Sequence, residues 1–127
     1  MTGRFIWRWL PPLAWMGLIF FFSSQSHLPR APGPWLDMVV KKSGHAFAFG
    51  VLAWLYLRAL RPHLRARVML RLVSLGLAVA YAVGDEYHQT FVLGRKGRLS
   101  DVMVDAAGAC GAMLVDWWLA RRSTSVR

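Results

Sequence analysis

The chain has 127 residues, a net charge of +10 and hydrophobic side chains at 56% of its positions. A water-soluble domain of this size cannot usually bury so much apolar surface, so the composition favours a membrane protein. The single cysteine, Cys110, excludes an intrachain disulfide and a multi-cysteine metal site, and its glycine and alanine neighbours indicate a packing role.

Four apolar runs are long enough to cross a bilayer, which needs about 20 helical residues. They cover about 5–22, 44–60, 68–84 and 102–120. The sequence therefore predicts an all-α integral membrane protein, a single domain over residues 1–127 built as a bundle of four transmembrane helices. The first run also begins like a signal peptide, but no small-residue cleavage site follows it, and two prolines interrupt it.

The basic residues indicate an orientation. Ten of the sixteen lie at the chain ends or in and around the second connection: Arg4, Arg8, Arg58, Arg61, Arg65, Arg67, Arg71, Arg121, Arg122 and Arg127. The positive-inside rule then predicts both termini in the cytoplasm and the first and third connections on the outer side. Because these clusters are short and adjoin the spans, nucleic acid is not an expected partner.

Two outer helix ends carry polar groups early in the chain. Ser23, Ser24 and Gln25 follow the first run directly, in the stretch "FFFSSQSHLP". Lys42 and His45 are three residues apart at the mouth of the second run, and this spacing places them on one helix face.

The third run ends in the most unusual stretch of the chain. Asp85 and Glu86 are followed by His88 and Gln89. If the helix continues, Asp85, His88 and Gln89 share a face. If Gly84 ends the helix, the two carboxylates lie in a loop instead.

The fourth run begins with acidic groups. Asp101 and Asp105 are four residues apart, so they lie on one helix face, and Asp105 is a full turn inside the apolar segment. Asp101 or Ser100 is also a candidate N-cap. Asp105 is either a ligand-binding residue or a structural partner for Lys42, His45 or Arg95.

Ionisable groups at membrane depth are costly, so they tend to face a bundle interior or a wet cavity. The outer ends of the four helices are therefore expected to converge on one polar pocket. Its predicted members are Ser23, Ser24, Gln25, Lys42, His45, Asp85, Glu86, His88, Gln89, Arg95 and Asp101.

Several of these residues also have a simpler interpretation. The serines can cap the end of the first span, and Lys42 can anchor that end of the second span at the membrane interface. His45 can bond to a carbonyl group within the core. Arg95 can contact anionic lipid headgroups.

Four segments together resemble the VanZ-like family of small bacterial membrane proteins. They are "FSSQS" (Phe22–Ser26), "K..HAFAFGVLA" (Lys42–Ala53), "DEYHQTFVLGRKGRLSD" (Asp85–Asp101) and "DAAGACG" (Asp105–Gly111). The resemblance spans roughly residues 20–111, and its most specific part is the string DE..Q.F..GR.G...D. It implies a multi-pass protein of the bacterial inner membrane, associated with the cell envelope and with resistance to teicoplanin-type glycopeptide antibiotics.

The resemblance also implies which residues form the site. The positions that match the family's motifs are Ser24, Gln25, Lys42, His45, Asp85, Glu86, Gln89, Arg95 and Asp101. The chain departs from the pattern twice: Lys41 stands where the family typically has an acidic residue, and Asp105 stands where it typically has asparagine.

Three roles for the pocket remain open at this point. In an envelope enzyme, Asp85 or Glu86 is the base and His45 or His88 the proton shuttle. Arg95 and Lys42 then hold the phosphate or carboxylate of a lipid-linked or cell-wall intermediate. A binding protein uses the same groups without turnover, and a structural cluster only stabilises the helix bundle.

The expected partners are membrane lipids and an anionic lipid-linked or cell-wall precursor. Clusters of carboxylates and histidine can also bind a divalent metal. The spacing along this sequence fits no standard metal motif, so neither a metal nor another cofactor is predicted.

Overall fold

The computed structural model describes residues 2–26 and 29–125. Within these residues the chain forms α-helices and no strand: α1 (Thr2–Ser23), α2 (Pro34–Leu60), α3 (Arg67–Gln89) and α4 (Leu99–Ser125). The predicted all-α class is confirmed. Arg127, one of the basic residues behind the predicted orientation, lies outside the described residues.

Three of these helices, α1, α3 and α4, are long and apolar enough to cross a membrane. Their outward side chains form a broad apolar surface; Trp7, Phe21 and Leu114, for example, are 72%, 58% and 64% exposed. A continuous apolar exterior of this kind is typical of helices that face lipid.

The helix α2 occupies the centre of the assembly. It packs against α1, α3 and α4, whereas the backbones of α1 and α4 do not approach each other closely. Its inward residues Phe49, Leu52 and Leu57 are fully buried. The other helices therefore cover much of α2, which explains why its first turns can carry the polar residues Lys42 and His45.

Small side chains bring α2 and α4 close together. A Cβ atom added at Gly108 of α4 would overlap the carbonyl oxygen of Ala46 in α2, and one added at Gly50 would lie 3.1 Å from the carbonyl oxygen of Gly108. Helices in membranes use such small residues to bring their backbones into direct contact. This contact fixes the register of the two helices next to His45 and Asp105.

The helix α3 presents a regular inward stripe. Leu70, Ser74, Ala78 and Ala82 recur every four residues and are buried. The helix continues through Gly84 without a break, so the same stripe runs on into the acidic residues at its C-terminal end. The question of whether the carboxylates lie in a loop is therefore settled: they are helical.

Side-chain bonds attach α1 to the other helices. The indole of Trp15 donates a hydrogen bond to the carbonyl oxygen of Ala48 at 2.8 Å. The hydroxyl of Tyr81 donates to the carbonyl oxygen of Met16 at 2.7 Å. These bonds hold α1 against both α2 and α3, with its last turn beside the end of α3.

Candidate functional site

Four helix ends meet at one end of the assembly: the C-terminal ends of α1 and α3 and the N-terminal ends of α2 and α4. Five polar side chains are at most 5% exposed there: Ser23, Asp85, Glu86, Gln89 and Asp105. With the half-buried His45, these residues are called the polar cluster below. Each lies at the end of an inward helical stripe, so the packing pattern that buries the core also buries the cluster.

Ser23, Asp85 and Gln89 form one half of the polar cluster. The hydroxyl of Ser23 donates to Asp85 Oδ2 at 2.8 Å, and the amide of Gln89 donates to the same oxygen at 3.2 Å. The Gln89 amide also lies 3.4 Å from the Ser23 hydroxyl oxygen. These bonds join α1 to α3, and no donor within residues 2–26 and 29–125 reaches Asp85 Oδ1.

His45, Glu86 and Asp105 form the other half, one residue from each of α2, α3 and α4. His45 Nδ1 lies 3.3 Å from Asp105 Oδ1. One potential ligand atom from each residue lies within 4.8 Å of the other two. Glu86 Oε2 accepts a hydrogen bond from the backbone N–H of Arg98 at 3.1 Å, which ties the loop after α3 to the cluster.

Several buried oxygens in the cluster lack a hydrogen-bond donor among the described residues. They are Asp85 Oδ1, Glu86 Oε1 and both carboxylate oxygens of Asp105. His45 Nδ1 and Asp105 Oδ1 thus lie close together without forming a well-directed hydrogen bond. Leaving buried carboxylates incompletely paired costs several kcal/mol for each group, so packing alone does not account for this cluster.

Three residues predicted for the pocket do not place their side chains in it. The hydroxyl of Ser24 and the amide of Gln25 bond to carbonyl oxygens one turn earlier in α1, at 2.7 and 3.2 Å. The ring of His88 stacks on Phe20 with centroids 4.4 Å apart. In the stretch after the first run, Ser23 supplies the side-chain contact to the cluster, because it continues the buried face of α1 that includes Ile19.

Arg95, in the loop between α3 and α4, binds the C-terminal end of α1 beside the cluster. Its Nε donates to the carbonyl oxygen of Gln25 and its Nη2 to that of Phe22, both at 3.1 Å. A cation at a helix C-terminus is favourable because free carbonyl groups concentrate negative charge there. Arg95 therefore closes the end of α1 over the site.

A cavity of about 490 Å³, called the basic cavity below, adjoins the polar cluster at His45 and Gln89. Five basic residues line it: Lys41, Lys42, Arg95, Lys96 and Arg98. Asp37, Asp101, His45 and Gln89 also contribute to its wall, and Lys42 lies 3.9 Å from Asp101 across it. The excess of cationic groups suits an anionic ligand.

An apolar groove of about 320 Å³ runs from this cavity between α1 and α2. Its walls include Trp15, Leu18, Phe22, Phe47 and Phe49. Lys41, His45 and Arg95 line both the groove and the basic cavity, so the two spaces adjoin.

Asp37 is a site residue that the sequence interpretation missed. Its carboxylate accepts hydrogen bonds from the Lys41 ammonium at 2.8 Å and from the backbone N–H of Ala31 at 3.0 Å. The bond from Lys41 is the main cause that lowers the pKa of Asp37. The spacing of four residues between these opposite charges was the available signal. Asp37 thereby compensates the lysine that stands just before Lys42.

Comparison with known proteins gives one match. The model of the family described as VanZ/LLP1 matches residues 8–120 of the chain. No curated protein and no solved structure gives a significant match. The matched residues include all six members of the polar cluster and most of each of the four helices.

Proposed function

This chain belongs to the VanZ/LLP1 family, and from that premise we propose a four-span protein of the bacterial inner membrane that binds an anionic lipid-linked ligand at its outer face. In this proposal α2 is the fourth span, shielded by the other three helices. Both termini lie in the cytoplasm, since ten of the sixteen basic residues lie on that side. The polar cluster and the basic cavity then open toward the outer leaflet.

The single observation that carries this proposal is the contact between the basic cavity and the apolar groove. Lys41, His45 and Arg95 line both spaces. An amphiphile fits such a site when its anionic headgroup lies among the basic side chains and its hydrocarbon chain lies along the groove. Lipid-linked cell-wall intermediates have this chemistry, with a phosphate or pyrophosphate next to a long chain.

Binding accounts for both spaces without turnover, and we propose it as the primary activity. By binding a cell-wall precursor, the protein would change the access of a glycopeptide antibiotic to its target. Catalysis would be a further step. In it, Asp85 or Glu86 is the general base and His45 shuttles the proton. His88 does not take part in this scheme, because its ring stacks against Phe20 on the side of α1.

A structural role is the second candidate, and a specific observation favours it. Bonds from Ser23 to Asp85 and from the Arg98 backbone to Glu86 join α1, α3 and the following loop. On this reading, the charged groups only fix the bundle, and the cavity has no dedicated ligand.

The test uses three probes on the purified full chain in detergent: a long-chain isoprenyl pyrophosphate, the matching isoprenol, and inorganic pyrophosphate. If both spaces hold one ligand, the complete amphiphile binds at least about 10-fold more tightly than either part, since its two contacts act together. Equal affinity for inorganic pyrophosphate and the amphiphile would remove the groove from the proposal. Failure of all three to bind would leave the structural role.

A matched pair of variants tests the groove directly. Gly44 lines the groove, and a Cβ placed there meets no described atom within 4 Å, so the side chain of Gly44→Leu starts without a clash and adds bulk at the groove. Gly17 in α1 is equally open but does not line the groove, which makes Gly17→Leu the control. Gly44→Leu should weaken binding of the amphiphile and leave binding of inorganic pyrophosphate unchanged. Equal affinity of the two variants for the amphiphile would contradict this.

A further inference from the structure

We propose that His45, Glu86 and Asp105 bind a divalent transition-metal ion, such as Zn²⁺, beneath the basic cavity. One ligand atom from each residue lies within 4.8 Å of the other two. The three residues come from three different helices, α2, α3 and α4, so the packing of the bundle presents them to one point. This site does not depend on the proposed lipid ligand and is tested with the metal alone.

The free oxygens of the two carboxylates point to a cation independently of this clustering. Asp105 is 0% exposed and Glu86 is 5% exposed. Both oxygens of Asp105 and Oε1 of Glu86 lack a donor within the described part of the chain. Glu86 Oε2 is already bonded to the backbone of Arg98, which holds the carboxylate in place and leaves Oε1 available for an ion.

The orientation of His45 also suits an ion. Its Nδ1 faces Asp105 Oδ1 at 3.3 Å, yet no well-directed hydrogen bond forms between them. A metal ion between the two atoms requires both to present lone pairs, and a neutral imidazole nitrogen supplies one. An ordinary ion pair would instead direct an N–H at the carboxylate.

The donor set and its dimensions narrow the choice of ion. One imidazole nitrogen with two carboxylate oxygens suits Zn²⁺ or Mn²⁺ better than Ca²⁺, which prefers only oxygens. Zinc bonds of about 2.1 Å place tetrahedral ligands roughly 3.4 Å apart, so binding draws the three side chains together. Three protein ligands leave at least one coordination position for water or an exogenous ligand.

Of the three residues only His45 lines the cavity, so an exogenous ligand would approach an ion bound there from the side of His45. A phosphate group held among the basic residues would lie on that side of the ion. A cation also offsets the negative charge of carboxylates that no buried lysine or arginine compensates among the described residues. The site would thus join the polar cluster to the ligand.

The experiment uses the full chain, purified with a cleavable tag that contains no histidine and stripped with a chelator. Zinc is added, the protein is desalted, and the metal is measured per chain, with affinity taken from calorimetry. We expect about one zinc per chain. His45→Gln, Glu86→Gln and Asp105→Asn should each weaken binding by roughly 100-fold or more, since even outer-shell changes weaken metal sites by about 10- to 100-fold.

Matched controls lie at the opposite end of the bundle. His63→Gln removes an exposed histidine, and Asp116→Asn removes an acid on α4 that pairs with Arg71. Both should keep zinc affinity within about twofold of the unmodified chain. Equal losses in the His45 and His63 variants, or no stoichiometric zinc at all, would overturn the proposal and leave protonated carboxyls as the explanation of the buried cluster.

A second measurement needs no variant and therefore does not depend on how a variant folds. X-ray absorption at the zinc edge of the loaded chain should show one imidazole nitrogen and oxygen ligands at about 2.0–2.2 Å. Two or more imidazoles would indicate zinc held elsewhere and would exclude this site. Failure of lipid binding would leave the zinc result unaffected, so the two proposals are tested separately.

Discussion

Gly108 of α4 lies against the carbonyl oxygen of Ala46 in α2 so closely that no side-chain carbon fits between them. His45 immediately precedes Ala46, and Asp105 lies three residues before Gly108. The contact between two small residues therefore places the imidazole and the carboxylate of the polar cluster next to each other. The packing of α2 against α4 therefore also brings these two members of the polar cluster together.

A first prediction follows for Gly108→Ala. The added methyl group must separate α2 from α4, and overpacking of this kind typically costs about 1–3 kcal/mol. Gly111→Ala, one turn further along α4, adds the same methyl group where nothing lies within 4 Å. Thermal unfolding of the detergent-solubilised variants, followed by size exclusion, should show a lower midpoint for Gly108→Ala only. A lowered midpoint for Gly111→Ala alone would contradict the described contact.

The four helices could be predicted from the four apolar runs, but α2 begins at Pro34, ahead of its predicted run 44–60, and it is not among the three helices apolar enough to cross a membrane. The central position of α2 could not be predicted, since hydropathy is a property of one segment and burial depends on its neighbours. The sequence also could not decide whether Gly84 ends α3. The inward stripe from Leu70 to Ala82 continues through it, and tertiary packing keeps the last turns helical.

The sequence allowed the meeting of polar helix ends to be predicted, but not which side chains make the contacts. The cost of placing charge at membrane depth is the reason to expect polar helix ends to converge, and in the structure four helix ends meet at the polar cluster. The choice between Ser23 and Ser24 depends on the rotation of α1, which the sequence does not reveal, because Phe20 precedes Ser24 by four residues just as Ile19 precedes Ser23. The triad of His45, Glu86 and Asp105 is invisible to any spacing motif, because its members lie on three helices.

Ser23 and Ser24 form a matched pair for a second prediction. Ser23→Ala removes a buried hydrogen bond to the Asp85 carboxylate, and bonds to charged groups contribute about 1.5–3 kcal/mol. Ser24→Ala removes only a bond to the carbonyl oxygen of Phe20, and such surface changes are usually within about 0.5 kcal/mol. Unfolding midpoints should fall for Ser23→Ala and stay unchanged for Ser24→Ala; the opposite order would remove Ser23 from the cluster.

The loop before α2 should respond to pH through Asp37. The pKa of Asp37 is lowered from 3.8, chiefly by the Lys41 ammonium, so its carboxylate stabilises the loop above that value. This contribution is lost as the pH falls through the lower folded pKa. Because Asp37 Oδ1 accepts the backbone N–H of Ala31, hydrogen exchange at that amide reports the effect. Asp37→Asn should accelerate exchange at neutral pH, and unchanged exchange would show that the bond does not hold the loop.

Topology is tested by labelling single cysteines in a Cys110→Ala background. Cysteines replacing Arg30 and Lys96 lie in the two connections proposed to face outward, and a cysteine replacing Arg65 lies in the opposite connection. An impermeant thiol reagent added to cells whose inner membrane is accessible from outside should modify the first two and spare the third. Labelling at the Arg65 position alone would invert the orientation and place the basic cavity on the cytoplasmic side.

The last prediction separates a functional site from a structural one by neutralising buried charge. Asp85→Asn and Glu86→Gln preserve side-chain volume, and each acid has one oxygen that receives no hydrogen bond from the described residues. If the cluster serves a ligand, both variants stay monodisperse and folded but lose binding of the isoprenyl pyrophosphate. If it only stabilises the bundle, removing one charge leaves its partners uncompensated at a cost of about 3–5 kcal/mol, and folded protein is lost first.

Arg95→Gln separates the contribution of the loop from that of the cluster, because it removes bonds to the end of α1 without altering a buried carboxylate. Folded yield and ligand binding are measured on the same preparations. Parallel loss of both supports the structural role. Retention of both would show that the cluster is needed neither for ligand binding nor for stability.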